Sequence, residues 1–139
     1  MNLTGKRLLE EVDRDAVTSR LVELVRIESE NPPGNEGKVA DVVAEMCESL
    51  GLAVELHEHE PGRPSVVARW AGSSGPTIGY CSHIDVVPAG VIDDWSIPPY
   101  DATIVDGRLH GRGSSDAKGP IAAALEAVAL LKRTGFEPA

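Results

Sequence analysis

Thr77-Ile78-Gly79-Tyr80-Cys81-Ser82 runs directly into His83-Ile84-Asp85-Val86-Val87-Pro88. The run from Thr77 to Ser82 has little polarity on either alternate face, the pattern of a strand in the middle of a sheet. It is predicted as a central strand. Helical patterns lie on both sides of it in the sequence, so the chain reads as a layered α/β domain. Open α/β sheets receive ligands beyond the carboxyl ends of their strands, which places His83 at a binding edge. Residues two apart on extended chain point the same way, so the Asp85 carboxylate can reach the His83 ring. A metal-bound imidazole commonly has its second nitrogen held by a carboxylate. The His-x-Asp triplet by itself is more often a satisfied polar pair at a strand end than a metal site.

Working back toward the start, Val17, Leu21, Leu24 and Val25 repeat at helical spacing and predict a helix over 13–26, with Asp13 or Asp15 as cap. Asn31-Pro32-Pro33-Gly34 breaks it, because proline lacks an N–H and restricts the residue before it. Val39, Val42, Val43, Met46, Cys47 and Leu50 predict a second helix over 36–50, stopped by Gly51. The period then changes. Leu52, Val54 and Leu56 alternate with Ala53, Glu55 and His57 as in a half-exposed strand, and Val66 to Trp70 forms another after Pro61-Gly62-Arg63-Pro64.

Working forward, 102–105 and 108–110 flank Asp106-Gly107, a hairpin signal. The last element is an apolar helix with Pro120 at its first position. Ile121, Ala124, Leu125, Val128 and Leu131 lie on one face, and Lys132 and Arg133 sit in its final turn. Between hairpin and helix lies Gly111-Arg112-Gly113-Ser114-Ser115-Asp116-Ala117-Lys118-Gly119. It is not a phosphate loop of the P-loop type, because Lys118 is followed by Gly119 and Pro120 rather than Ser or Thr. It also lacks the spaced glycines of a dinucleotide site. The other reading is that this loop delivers Asp116 to the His83 end of the sheet, where a carboxylate can bridge two metal ions.

Composition sets outer limits. The 139 residues suit one domain, and 42% hydrophobic with 25% charged is the balance of a globular chain. Thirteen basic against 22 acidic residues give a net charge of −9, which argues against a nucleic-acid partner. No apolar run is long enough to span a bilayer, and the stretch from Met1 to Glu11 has no apolar segment of signal-peptide length, so no membrane partner and a cytoplasmic setting are expected. Cys47 and Cys81 lie in apolar runs and read as small buried hydrophobes. His57 and His59 read as a solvated face, His110 as structural and Asp93 and Asp94 as exposed loop. Ser114 and Ser115 lack the His-and-acid pair that a nucleophile needs.

Four ordered segments together resemble a known family. Arg26–Gly34, Ser82–Pro88, Trp95–Tyr100 and Asp106–Gly119 are similar to the N-terminal motifs of the zinc-dependent metallopeptidases and deacylases. These include acetylornithine deacetylase, succinyl-diaminopimelate desuccinylase, aminoacylase and glutamate carboxypeptidase. The resemblance implies an α/β/α catalytic domain with two zinc ions, for which cobalt can substitute. It implies His83 as ligand of one zinc, Asp116 as bridge between both, and Asp85 as the catalytic-site carboxylate that orients His83. It also implies a cis peptide at Asp116–Ala117. Cys81, Ser82 and Ala117 depart from the family's usual residues without touching a ligand.

In that family a Glu-Glu pair holding the general base, a further carboxylate and a late His complete the site, and none of these follows within the chain. Residues 1–139 are therefore expected to be the N-terminal part of a catalytic domain whose sheet lacks its later strands, with the dimerisation domain and C-terminal half absent. The implied activity is hydrolysis of an amide bond in a small N-acyl amino acid or short peptide by an intact, dimeric enzyme, the fragment itself being inactive. A naturally short, non-catalytic binding module of the same fold is the alternative. A nucleotide-binding domain ranks behind both.

Overall fold

A computed structural model describes residues 5–139, so the first four residues of the stretch read for a leader lie outside it. Four helices and four strands follow in the order α1 (Gly5–Glu10), α2 (Arg14–Val25), α3 (Gly37–Ser49), β1 (Ala53–Glu60), β2 (Arg63–Arg69), β3 (Thr103–Val105), β4 (Arg108–His110) and α4 (Lys118–Arg133). Asp13 caps α2, its carboxylate accepting from the Ala16 amide at 2.9 Å. α3 ends one residue before Leu50, and Gly51 takes the left-handed conformation (φ +68°) that closes it. α1 has no counterpart in the hydrophobic periodicity, since one and a half turns are too few to show a stripe.

The strands form two separate antiparallel ribbons, β1 with β2 and β3 with β4. Asp106 and Gly107 both have positive φ (49° and 73°), the turn that matches strand twist, as the Asp-Gly signal predicts. α4 begins at Lys118 rather than Pro120. Pro120 is tolerated inside the first turn because an amide there has no partner within the helix.

Leu24 of α2, Val39, Val43 and Cys47 of α3, and Ile121 and Leu125 of α4 form the core. Val54 and Val66 of the first ribbon and Ile84 pack against it. The mixed α/β class is thus the one expected, with helices laid over a ribbon. The α4 face is shifted from the sequence reading, and Glu126 is buried on it. Its carboxylate is held by Arg20 at 2.9 Å, Arg133 at 2.7 Å and the Asp13 amide at 3.0 Å. Burial pushes this carboxyl up, but those three donors outweigh it and leave it below its ordinary value.

Two expectations need correction. Thr77–Ser82 is not a central strand: among the described residues it pairs with nothing, and Ile78 (95%) and Tyr80 (61%) are exposed. An apolar run becomes a strand only when neighbours satisfy its backbone, and β2 pairs with β1 instead. Cys81, on the same segment, is accordingly exposed, while Cys47 is buried as expected.

Leu24 is fully buried. Leu24→Ala should cost about 2–5 kcal/mol, read as a lower urea midpoint with an unchanged slope.

Candidate functional site

The segment after α2 doubles back beside the residues that follow His83. Ser29 O accepts from the Val86 amide and Val86 O from the Asn31 amide, both at 2.9 Å, in a short parallel bridge. Ser29 Oγ donates to Ile84 O at 2.8 Å. His83 and Asp85 are thereby set on a braced piece of chain. The other half of the site comes from the loop before α4. Gly113 there is left-handed (φ +81°), and a Cβ would sit 2.5 Å from Val86 Cγ1, so only glycine permits the approach. Lys118, wholly buried, donates from Nζ to Ile27 O at 2.7 Å and fixes the start of α4. Burial lowers its pKa to about 8. The Asp116–Ala117 peptide is cis.

These elements bring His83, Asp85 and Asp116 together. His83 Nδ1 lies 3.0 Å from the Asp85 main-chain oxygen and 3.2 Å from Asp85 Oδ1. His83 Nε2 lies 2.8 Å from Asp116 Oδ1. With an oxygen at each nitrogen the protonated ring is favoured. The Asp116 hydrogen bond raises the His83 pKa above its ordinary value, partial burial opposes it, and Asp85 adds to the rise. Asp85 is held below the usual carboxylate range, first by a hydrogen bond from Asn31 Nδ2 to its Oδ2 at 3.0 Å. Burial opposes that shift and the charge of His83 reinforces it. Asp116 projects freely, its side chain 88% exposed.

A cavity of about 240 Å³ opens over this cluster, floored by Val86 and Val87 and walled by the Gly111–Ser115 loop. The chain from Val87 to Tyr100 is fastened beside it through Glu30. Glu30 Oε1 accepts from the Ala89 amide at 2.8 Å and the Tyr100 hydroxyl at 2.6 Å, while Trp95 Nε1 donates to Ala89 O at 2.9 Å. The Arg112 guanidinium stacks on Trp95 at 5.1 Å, and its buried Nε has no hydrogen-bond partner among the described residues.

His57, His59 and His110 are exposed and stand apart from this cluster. Asn31 and Lys118 escaped the sequence reading as site residues. Lys118 carried a signal, because a cation in the first turn opposes the helix dipole and so asks for a tertiary reason. Asn31 stood out only as part of the Arg26–Gly34 segment and its turn, neither of which names a partner for its side chain.

Residues 79–139 match the model of Peptidase family M20/M25/M40. Over that stretch the chain is similar to the M20 peptidase family. Succinyl-diaminopimelate desuccinylase of Parvibaculum lavamentivorans is 38% identical over 119 residues, 84% of this chain and 30% of that protein. The enzyme of that name from Rhodospirillum centenum is 38% identical over 117 residues, 81% of this chain and 30% of that one. Human carnosine dipeptidase 1 superposes with a TM-score of 0.77 at 30% identity, over 95% of this chain and 32% of its own. An M20 family metallo-carboxypeptidase from Sulfolobus solfataricus gives 0.72 at 28% identity, over 88% and 28%. The chain spans about 30% of the length of the curated relatives it matches.

The Tyr100 hydroxyl is the first cause, and the Ala89 amide the second, of a Glu30 pKa below its ordinary 4.5. A lowered carboxylate adds stability above that value and loses it as pH falls through the folded pKa. Tyr100→Phe should therefore cost about 1.5 kcal/mol at pH 7, and the gap to wild type should close on acidification below about pH 4. Urea titrations across pH check this.

Proposed function

We propose that this chain supplies part of the metal centre of a zinc-dependent hydrolase that cleaves the amide bond of a small N-acyl amino acid or short peptide. The observation that carries the reading is the convergence of His83 Nε2 and Asp116 Oδ1 at 2.8 Å, with the opposite ring nitrogen backed by Asp85. Imidazole nitrogen and carboxylate oxygen are ordinary zinc donors, and the carboxylate behind the imidazole is the usual partner of a metal-bound histidine. The donor chemistry fits zinc, and His83 and Asp116 would hold it. A catalytic zinc takes three protein ligands, and among the described residues no group of three or more His, Cys, Asp or Glu is gathered to hold one. Residues 1–139 are accordingly read as the N-terminal part of a catalytic domain, with the remaining ligands and general base supplied from further chain.

When bound, zinc polarises the scissile carbonyl and lowers the pKa of a water molecule. The residues present hold that chemistry in place. Asp85 keeps the proton on His83 Nδ1, which turns Nε2 toward the cavity. Asp116, just before the anchored start of α4, sets Oδ1 against His83 Nε2 while its carboxylate stays largely open to solvent. The proposed setting is the cytoplasm, where a reducing environment keeps Cys47 and Cys81 as the free thiols seen here. Among the described residues no helix is long and apolar enough to cross a membrane.

Competition of the 139-residue chain with a chromophoric chelator should show weak Zn²⁺ binding. His83→Ala and Asp116→Ala should each weaken it at least about tenfold. The chain alone should release no amino acid from N-acyl substrates, and turnover by it would overturn the incomplete-site reading.

A further inference from the structure

Asp85 has two carboxylate oxygens and two different partners. Oδ1 lies 3.2 Å from His83 Nδ1, and Oδ2 accepts from Asn31 Nδ2 at 3.0 Å. Asn31 comes from 54 residues earlier in the chain, so its approach is a product of the fold. Its backbone is fixed independently, the amide donating to Val86 O at 2.9 Å next to the buried Ser29. A carboxylate with one oxygen free can rotate about χ2, which is soft for aspartate. Asn31 removes that freedom by occupying Oδ2. An amide suits the task, because it donates without carrying charge, whereas a carboxylate at this place would repel Asp85.

We propose that Asn31 is a positioning residue of the metal centre, holding Asp85 so that Oδ1 stays against His83 Nδ1 and the imidazole keeps Nε2 turned toward the cation. The inference rests on the reading of His83 as a metal ligand. It assigns the Asn31 side chain a role apart from that of the backbone bridge beside it. The bridge needs only residue 31's amide N–H, which any residue but proline supplies. The Asp85 contact needs a neutral side-chain donor of asparagine's length. Asn31 acts through Asp85 and touches neither the cation nor the substrate.

A double-mutant cycle on the 139-residue chain tests this, with Zn²⁺ affinity by chelator competition and circular dichroism to check folding. Asn31→Ala should weaken Zn²⁺ about tenfold in the wild-type background and less than twofold in an Asp85→Ala background. An equal loss in both backgrounds, or none in the first, overturns the proposal. If Asn31→Ala does not give the wild-type spectrum, Asn31→Asp decides. It should weaken Zn²⁺ about tenfold, and adding Asp85→Asn, which restores one donor facing one acceptor, should tighten binding several-fold. Failure of that rescue overturns the proposal. His83→Ala separates the two readings. If it binds Zn²⁺ like wild type, the metal centre falls and the inference with it. If His83→Ala and Asp85→Ala lose Zn²⁺ while Asn31→Ala keeps it, only the inference falls.

Discussion

The five residues from Ile27 to Asn31 are where the separate parts of the structure are tied together. Ile27 O receives Lys118 Nζ, Ser29 holds Ile84 and Val86, Glu30 holds Ala89 and Tyr100, and Asn31 holds Asp85. Every one is a hydrogen bond spanning more than fifty residues of sequence. Three of them involve a residue withdrawn from water, Ser29 or Lys118, so leaving any of these unmade would cost more than the bond itself gains. The segment cannot shift without unpairing several such groups together, and this lets a short irregular stretch act as a rigid support.

The site inherits that rigidity unevenly. His83 and Asp85 sit on chain braced from both sides, and Asp116 stands on a loop whose far end is pinned by Lys118. The side chains of His83 and Asp116 remain half open to solvent or more, Asp116 most of all, while that of Asp85 is more covered. A carboxylate and an imidazole at 2.8 Å with water beside them gain little from each other compared with what a divalent cation between such donors would gain. The arrangement is better suited to holding a cation than to holding itself.

Much of the fold could be read from local pattern. α2, its Asp13 cap, α3, the first ribbon and the Asp106-Gly107 hairpin all follow from periodicity and turn chemistry that act within a few residues. The buried face of α4 was read less well, because Glu126 is admitted to the interior by Arg20 and the Asp13 amide from the start of the chain, together with Arg133 two turns further along α4. Thr77–Ser82 shows the opposite error. Its composition permits burial, but a strand requires a partner for its backbone, and composition contains no partner.

The sequence by itself singled out the residues proposed for metal chemistry, since His83, Asp85 and Asp116 stand out by type, spacing and motif order. The tertiary structure decided which atoms face one another. It set Asp85 between His83 and Asn31, buried a lysine to anchor the helix that follows Asp116, and fastened the Val87–Tyr100 chain through Glu30. Side-chain chemistry is local and is written residue by residue. A hydrogen bond between residues 31 and 85 exists only once packing has closed the chain between them, and no window of sequence contains both.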